Sequence, residues 1–161
     1  NVVDDGILVR RLDERDIEGI RQMSDSLGLS PWTRQDYLYE LQRSAAHLIV
    51  AMKGKKMTGF LAARRVPGPK EGSFDAEIYN IGVSREHQRS GIGGILMRDL
   101  IHSCRQYSVS DIWLEVRRKN SAAIRFYLSF GFTERGTRPG FYRDPKDDAV
   151  TMHLAIDPRE Y

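Results

Sequence analysis

The segment at residues 75–94 places the strongest constraint on how this chain folds. It reads DAEIYNIGVSREHQRSGIGG and passes from an apolar strand through a polar turn to a glycine-rich stretch, where a long amphipathic helix begins. Successive backbone N–H groups at a glycine-rich helix N-terminus form a cradle for phosphate oxygens. The segment therefore predicts a site for a phosphorylated ligand. Glycines that serve only close packing are the alternative interpretation of the same pattern.

Two widespread phosphate motifs do not fit the chain. A dinucleotide fingerprint requires a third glycine at the position of Leu96. A P-loop requires serine or threonine after Gly54-Lys55, and Lys56 stands there. We therefore expect neither of these two nucleotide sites.

The composition is that of an ordinary globular protein. Of the 161 residues, 40% are hydrophobic and 29% charged, and the formal net charge is +3. No apolar run approaches the roughly 18 residues of a membrane span, and the acidic start is unlike a signal peptide. Basic residues form pairs and triplets and no continuous stripe, so we expect no nucleic-acid binding. We expect a cytoplasmic protein with a single domain over residues 1–161, flexible at about 1–6 and 157–161.

Cysteine and histidine usage argues against disulfide and metal chemistry. The single cysteine, Cys104, falls on the apolar stripe of a helix, so we interpret it as a packed core thiol and not as a nucleophile. The histidines His47, His87, His102 and His153 are scattered along the chain without metal-ligand spacing. We therefore predict no metal site.

Periodicity and capping signals predict alternating strands and helices. Thr33 with Asp36 predicts the start of a helix, and Asn120 with Gly131 predicts the two ends of another. The predicted order is β-α-α-β-β-β-α-β-α-β-β, with strands at 7–12, 47–52, 57–63, about 78–83, 111–116, 132–138 and 150–156. A flexible connection is expected at 66–72 and a turn-rich one at 139–145. This order predicts an α/β or α+β domain with a mixed sheet.

Two motifs resemble those of a known family. Val83-x4-Gln88-x2-Gly91-x-Gly93 is similar to the acyl-CoA-binding signature of the GNAT acetyltransferases. The later stretch at 114–132, LEVRRKNSAAIRFYLSFGF, resembles the second signature of the RimI-type N-terminal acetyltransferases. Pro31-Trp32-Thr33 and the ending at 141–152 are also similar to that branch. The resemblance covers the domain in order and implies the GNAT fold, with a mixed, mostly antiparallel central sheet flanked by helices.

The resemblance implies an acetyl-CoA-dependent N-acetyltransferase with acetyl-CoA as cosubstrate. The strand backbone would hold the pantetheine arm and the loop amides the pyrophosphate, while Asn120 and Tyr127 would also contact the cofactor. Packing in the helix is the alternative for Tyr127, and capping alone is the alternative for Asn120. The cofactor-binding residues implied by the resemblance are Ile81, Gly82, Val83, Gln88, Arg89, Ser90, Gly91, Ile92, Gly93, Gly94, Asn120 and Tyr127.

Two residues carry the implied chemistry. Glu115 interrupts an apolar strand near its C-terminal end, where a carboxylate is costly to bury unless it is paired or used. The resemblance makes Glu115 the general base, directly or through water, and Tyr127 the general acid for the departing thiolate. A strand-end glutamate that reaches solvent or an arginine is the alternative for Glu115.

The resemblance to RimI-type enzymes implies that the acceptor lies at two loops, 29–33 and 138–142. Trp32, Phe141 and Tyr142 are large side chains there, and caps over the edge of the core are their alternative role. RimI-type enzymes often carry tyrosine where Phe141 stands. The resemblance implies that the acceptor is a protein N-terminus or peptide, with a ribosomal protein as one candidate. We expect the enzyme to be a monomer or weak dimer. A GNAT enzyme for a small amine such as a polyamine or aminoglycoside, and a non-catalytic acyl-CoA-binding regulator, are the alternatives.

Overall fold

The computed structural model of the protein describes residues 2–4, 6–29 and 31–157. The expected flexible ends fall partly on residues 1, 5 and 158–161, which lie outside the described residues, as does Ser30 of the expected acceptor loop. The strands are β1 Val2–Asp4, β2 Ile7–Arg11, β3 Ala46–Lys53, β4 Lys56–Pro67, β5 Phe74–Val83, β6 Val109–Arg117, β7 Thr133–Arg143 and β8 Lys146–Ala155. The helices are α1 Ile17–Leu27, α2 Arg34–Leu41, α3 Ile92–Gln106 and α4 Ser121–Ser129, and 3-10 turns lie at Glu14–Asp16 and Arg85–His87.

The predicted order of elements is confirmed, with one strand added at its start. Strand β1 was not predicted; it has three residues and pairs antiparallel with β2. The largest difference lies in the last hairpin. Strand β7 continues through the expected turn at 139–145 to Arg143, and the turn itself contains only the cis Asp144-Pro145 pair. A register shift between Arg138 and Tyr142 allows the strand to pass Pro139-Gly140.

The chain forms two compact units, Asn1–Arg65 with Tyr79–Ser103 and Val66–Ile78 with Cys104–Tyr161. The first contains strands in the order β1-β2-β3-β4 and the C-terminal half of β5. The second contains the N-terminal half of β5, followed by β6, β8 and β7. Strand β5 pairs parallel with β6, whereas β2–β3, β3–β4, β6–β8 and β7–β8 are antiparallel. The α/β class with a mixed, mostly antiparallel sheet is thus confirmed.

Local capping fixes the helices of the first unit. Thr33 and Asp36 form the predicted capping box at the start of α2. Asp13 caps a 3-10 turn, which then leads into α1. Gly28 ends α1 in the left-handed conformation, with φ 67°. The α1 side chains then pack on strands β3 and β4 in a core of Leu12, Ile17, Ile20, Tyr37, Leu48, Val50, Phe60 and Ala62.

Two glycines bring backbones close together in the first unit. A Cβ atom built on Gly59 would lie 2.9 Å from the carbonyl oxygen of Gly82. A Cβ atom on Gly82 would lie 2.8 Å from the Phe60 ring and 3.1 Å from Leu27 and Leu29. Both positions therefore require glycine for packing, independent of any ligand.

Replacing Gly82 by alanine is expected to lower the free energy of unfolding by about 1–3 kcal/mol, because the added methyl group overpacks a closed site. Urea unfolding of the purified protein measures the change. Gly136→Ala on β7 is the matched control, since a Cβ atom there meets nothing within 4 Å. Equal unfolding midpoints for the two variants would contradict the packing argument.

Polar side chains of the second unit join its strands. Trp113 Nε1 on β6 donates to Asp75 Oδ2 on β5 at 3.0 Å. His153 on β8 packs against Trp113 in a tilted arrangement, with ring centroids 4.4 Å apart, and its Nε2 lies 2.6 Å from Asp111 Oδ1. Asn120 caps α4, and Gly131 beyond its end has φ 97°, both as predicted. The second unit therefore fixes the strand that carries Glu115 from both sides.

Candidate active site

The glycine-rich loop of the first unit has the backbone shape of an anion cradle. Arg89 and Gly91 have positive φ values of 64° and 84°. Gln88 Nε2 donates to the carbonyl oxygen of Val83 at 3.0 Å, and the Ser90 hydroxyl donates to the carbonyl oxygen of His87. These bonds hold the loop against the end of β5. The following N–H groups open α3, and the first turn of a helix leaves its N–H groups without helical partners.

Helix α3 is held firmly behind this loop. Its first residue, Ile92, is buried, and its side chain lies 3.1 Å from where a Gly59 Cβ atom would be. Leu96, one turn later, is also buried. The N-terminal end of a 15-residue helix thus points its dipole at an exposed loop. Such an arrangement favours a bound pyrophosphate.

The remaining cofactor residues predicted in the first unit lie on β5. Gly82 is buried, whereas Ile81 and Val83 are half-buried. Just beyond the strand, Ser84 N donates to the carbonyl oxygen of Thr58 at 2.9 Å. Their contact with a pantetheine arm stays a prediction.

Glu115 lies on β6 between the buried residues Leu114 and Val116, with its side chain on the opposite face. It is not enclosed, since its side chain is 33% exposed. Oxygen Oε1 accepts from Arg138 Nη1 on β7 at 2.8 Å. Glu115 is thus a strand carboxylate that is accessible and paired with an arginine, the contact named as its alternative interpretation.

Tyr127 lies on α4 and is buried, between the rings of Phe126 and Phe132. Burial raises the pKa of its hydroxyl well above the ordinary value, and the neighbouring Tyr142 adds to the rise. The group is therefore protonated throughout the physiological range and can serve as a proton donor.

Tyr142 connects the two predicted catalytic residues. Burial is the main cause that raises its pKa, and the negative charge of Glu115 adds to it, whereas Arg117 opposes the rise. The Arg117 guanidinium lies 4.1 Å from the centre of the Tyr142 ring. Tyr142 thus interacts electrostatically with both Glu115 and Tyr127. The sequence alone does not indicate that Tyr142 interacts with these two residues.

The other predicted site residues have the following surroundings. Asn120 Oδ1 accepts from Ala123 N at 3.2 Å, so it caps α4, and its side-chain amide remains exposed. Phe141 is 47% exposed and stands edge-on to Tyr142 at 5.1 Å. In the first unit, Trp32 is half-buried and packs at 5.1 Å and 5.5 Å against the rings of Tyr37 and Tyr79. Trp32 therefore covers the core edge, and its role toward an acceptor stays a prediction.

Sequence reasoning missed two arginines in this group. The sequence indicates Arg138 only as one end of an expected acceptor loop, and Arg117 only as a member of a basic triplet. The structure pairs Arg138 with Glu115 and places Arg117 on the Tyr142 ring. A strand predicted to continue past Arg138 would have indicated this pairing, but the Pro139-Gly140 pair predicts a turn there.

Cys104 is buried, and burial raises the pKa of its thiol to about 12, as suits a core residue. Within residues 2–4, 6–29 and 31–157, histidine, cysteine and acidic side chains form no group of three that could hold a metal ion. In the same ranges, the helices are too short or too polar to cross a membrane.

Two features of the structure agree with the sequence motifs: a strand that leads through a glycine-rich loop into a helix, and an accessible carboxylate, Glu115, on a strand. Residues 17–132 match the model of the acetyltransferase (GNAT) family, and the chain belongs to this family. The resemblance found in the two sequence motifs is thus confirmed. Because the family consists of acetyltransferases, the chain is an enzyme of the acyltransferase class.

Among proteins of known activity, the chain is similar to RimI enzymes. It is 33% identical to the N-alpha-acetyltransferase RimI of Mycobacterium tuberculosis over 126 residues, 78% of this chain and 77% of that relative. It is 40% identical to the ribosomal protein bS18-alanine N-acetyltransferase of Escherichia coli K12 over 84 residues, 51% of this chain and 57% of that relative. The crystal structure of the ribosomal-protein-S18-alanine N-acetyltransferase from Escherichia coli matches with a TM-score of 0.80 at 28% identity, covering 96% of this chain and 99% of that one.

Proposed function

We propose that the enzyme transfers an acetyl group from acetyl-CoA to the N-terminal α-amine of a protein or peptide, by direct attack in a ternary complex. The observation that carries the proposal is the accessible carboxylate of Glu115, paired with Arg138 beside the aromatic rings of Phe141 and Tyr142, in a chain whose relatives are named for acetylation of N-terminal amines. Acetyl-CoA supplies the activated acyl group as a thioester. The residues of the chain bind and orient the two substrates, and they move protons.

The proposal assigns the cofactor to the loop and strand end of the first unit. The N–H groups from Arg89 to Gly94 receive the pyrophosphate, which carries about two negative charges, and Arg89 adds a cation. The backbone of Ile81, Gly82 and Val83 bonds the pantetheine arm. The exposed amide of Asn120 is a further donor.

The proposal assigns proton transfer to the second unit. Glu115 accepts a proton from the incoming ammonium, directly or through water, so that the nitrogen lone pair becomes available for attack on the carbonyl carbon. Tyr127 donates a proton to the departing sulfur as the carbon–sulfur bond breaks, which its raised pKa permits at neutral pH. Trp32, Phe141 and Tyr142 contact the acceptor.

The acceptor class follows from the side chains that we assign to it. Arg138, the partner of Glu115, lies against the ring of Phe141, which packs on Tyr142, and these aromatic side chains favour a peptide over a polyamine. We propose a cytoplasmic enzyme that acts as a monomer or weak dimer, without nucleic acid or membrane as partner. A ribosomal protein is one candidate acceptor.

A thiol-release assay with acetyl-CoA and a panel of peptides tests the function. Peptides that begin with alanine are expected to give turnover, whereas the same peptides with a formylated N-terminus and a free lysine are not. Polyamines and aminoglycosides complete the panel. Turnover with polyamines alone, or with the formylated peptides, would refute the proposed acceptor.

Replacing Tyr127 by phenylalanine is expected to lower kcat about tenfold, a small effect for an acid, since a thiol of pKa about 8.5 leaves as a fairly stable anion. Steady-state kinetics with a peptide that the wild-type protein acetylates measure the change. Tyr37→Phe, at a buried tyrosine in the core of the first unit, is the control and should retain wild-type kcat. An unchanged kcat in Tyr127→Phe would remove the hydroxyl from the reaction.

A further inference from the structure

We propose that Arg138 is an internal competitor for the acceptor amine: its guanidinium occupies Glu115 in the free enzyme and must leave before the ammonium of the acceptor can bind there. The proposal rests on the assigned role of Glu115 as the base. It adds a residue that sets acceptor affinity.

The contact between the two side chains is of the kind that an acceptor can displace. Arg138 Nη1 donates to Glu115 Oε1 at 2.8 Å, with the Arg138 side chain 57% exposed and that of Glu115 33% exposed. Ion pairs in contact with solvent are weak, since water screens the charges and two long side chains lose freedom. An N-terminal ammonium is also a cation with several donors, and it competes for the same oxygen.

The same contact is unfavourable for catalysis while it persists. A guanidinium bound to Glu115 Oε1 occupies the oxygen that has to meet the ammonium of the acceptor. Displacement of the guanidinium therefore has to accompany productive binding of the acceptor.

The guanidinium has a place to remain after it leaves Glu115. Its Cζ atom lies 4.6 Å from the centre of the Phe141 ring, a distance at which a cation and an aromatic face attract each other. The backbone of this segment is held, because Gly140, with φ 62°, donates its N–H to Asp148 Oδ1 at 2.8 Å. A change of the Arg138 side chain alone is therefore sufficient, and the strand need not move.

Other charged and titratable groups around Glu115 do not replace Arg138. Tyr142 of β7 interacts with Glu115, and Arg117 and Asp147 act on that tyrosine with opposite signs. Arg117 is committed elsewhere, since its Nη1 donates to the carbonyl oxygen of Pro145 at 2.7 Å and its guanidinium lies over the Tyr142 ring. Thr151 of β8 stands opposite Glu115 and is neutral.

Steady-state kinetics of Arg138→Gln with an acceptor peptide test the proposal. We expect KM for the peptide to fall about two- to fivefold, the range of an exposed ion pair, with kcat unchanged or higher. Arg138→Lys, which keeps the charge, should restore KM toward the wild-type value.

Two controls separate this role from a structural one. Arg118→Gln breaks a comparable ion pair of the same unit, Arg118 Nη1 to Glu134 Oε1 at 3.1 Å, and should leave KM unchanged. In a Glu115→Gln background, the Arg138 substitution should have no effect on KM. An equal or higher KM in Arg138→Gln, or the same change in the Glu115→Gln background, would overturn the proposal. Failure of the proposed function is distinct, since the wild-type protein would then acetylate no peptide.

Discussion

Glu115→Gln is expected to lower kcat about 100-fold, the contribution of a positioned general base, and to leave acetyl-CoA binding intact. Glutamine keeps the size and a hydrogen-bonding oxygen but cannot accept a proton from the ammonium. The side chain is partly exposed on β6, so the substitution buries no new polar group. The measurement is kcat with a peptide acceptor across the pH range, together with calorimetric titration of acetyl-CoA.

Glu134→Gln provides the matched control for this prediction. Glu134 also lies on a strand of the second unit, its side chain is 42% exposed, and it pairs with Arg118 as Glu115 pairs with Arg138. Loss of an exposed glutamate–arginine pair should by itself change stability by at most about 1 kcal/mol and leave kcat at the wild-type value. An unchanged pH profile in Glu115→Gln would remove this residue from the mechanism.

Features determined by neighbouring residues could be predicted from the sequence. The capping box of Thr33 and Asp36 and the cap at Asn120 depend on side chains within three positions of the backbone they bond. The start of α3 after Gly91 and the burial of Cys104 follow from a helical period within one element. The fold class came from the order of such elements, and the family came from two motifs whose spacing is also short in sequence.

Features that depend on pairing between distant residues could not be predicted. Arg138 lies 23 positions from Glu115, and only the β6–β8–β7 order of strands brings the two together. The Pro139-Gly140 pair indicates a turn by local rules, yet the hairpin continues because a register shift absorbs it. Strand alternation is a local rule that places the Glu115 side chain on the face opposite its apolar neighbours, but it does not show which residue meets it there.

The second substitution with a large expected effect lies in the loop at 88–94. Gly93→Asp is expected to weaken acetyl-CoA binding by about 100-fold or more, because a carboxylate would stand among the amides assigned to a pyrophosphate. The fold should persist, since Gly93 lies in the first turn of α3, where a negative side chain is favourable to the helix dipole. Calorimetric titration of acetyl-CoA measures the affinity, and circular dichroism verifies the fold.

Two control variants, Gly93→Ser and Gly136→Asp, separate the effect of added bulk and the general effect of added charge from electrostatic repulsion in the loop. Serine adds bulk without charge, so a smaller loss of affinity in Gly93→Ser assigns the remainder to electrostatic repulsion. Gly136 is exposed on β7 with open space around it, and aspartate there adds the same charge away from the loop. A wild-type titration curve for Gly93→Asp would refute the phosphate cradle, whereas equal losses in both aspartate variants would indicate a general effect of charge. Selective loss in Gly93→Asp alone would assign the donor site to the N-terminal end of α3.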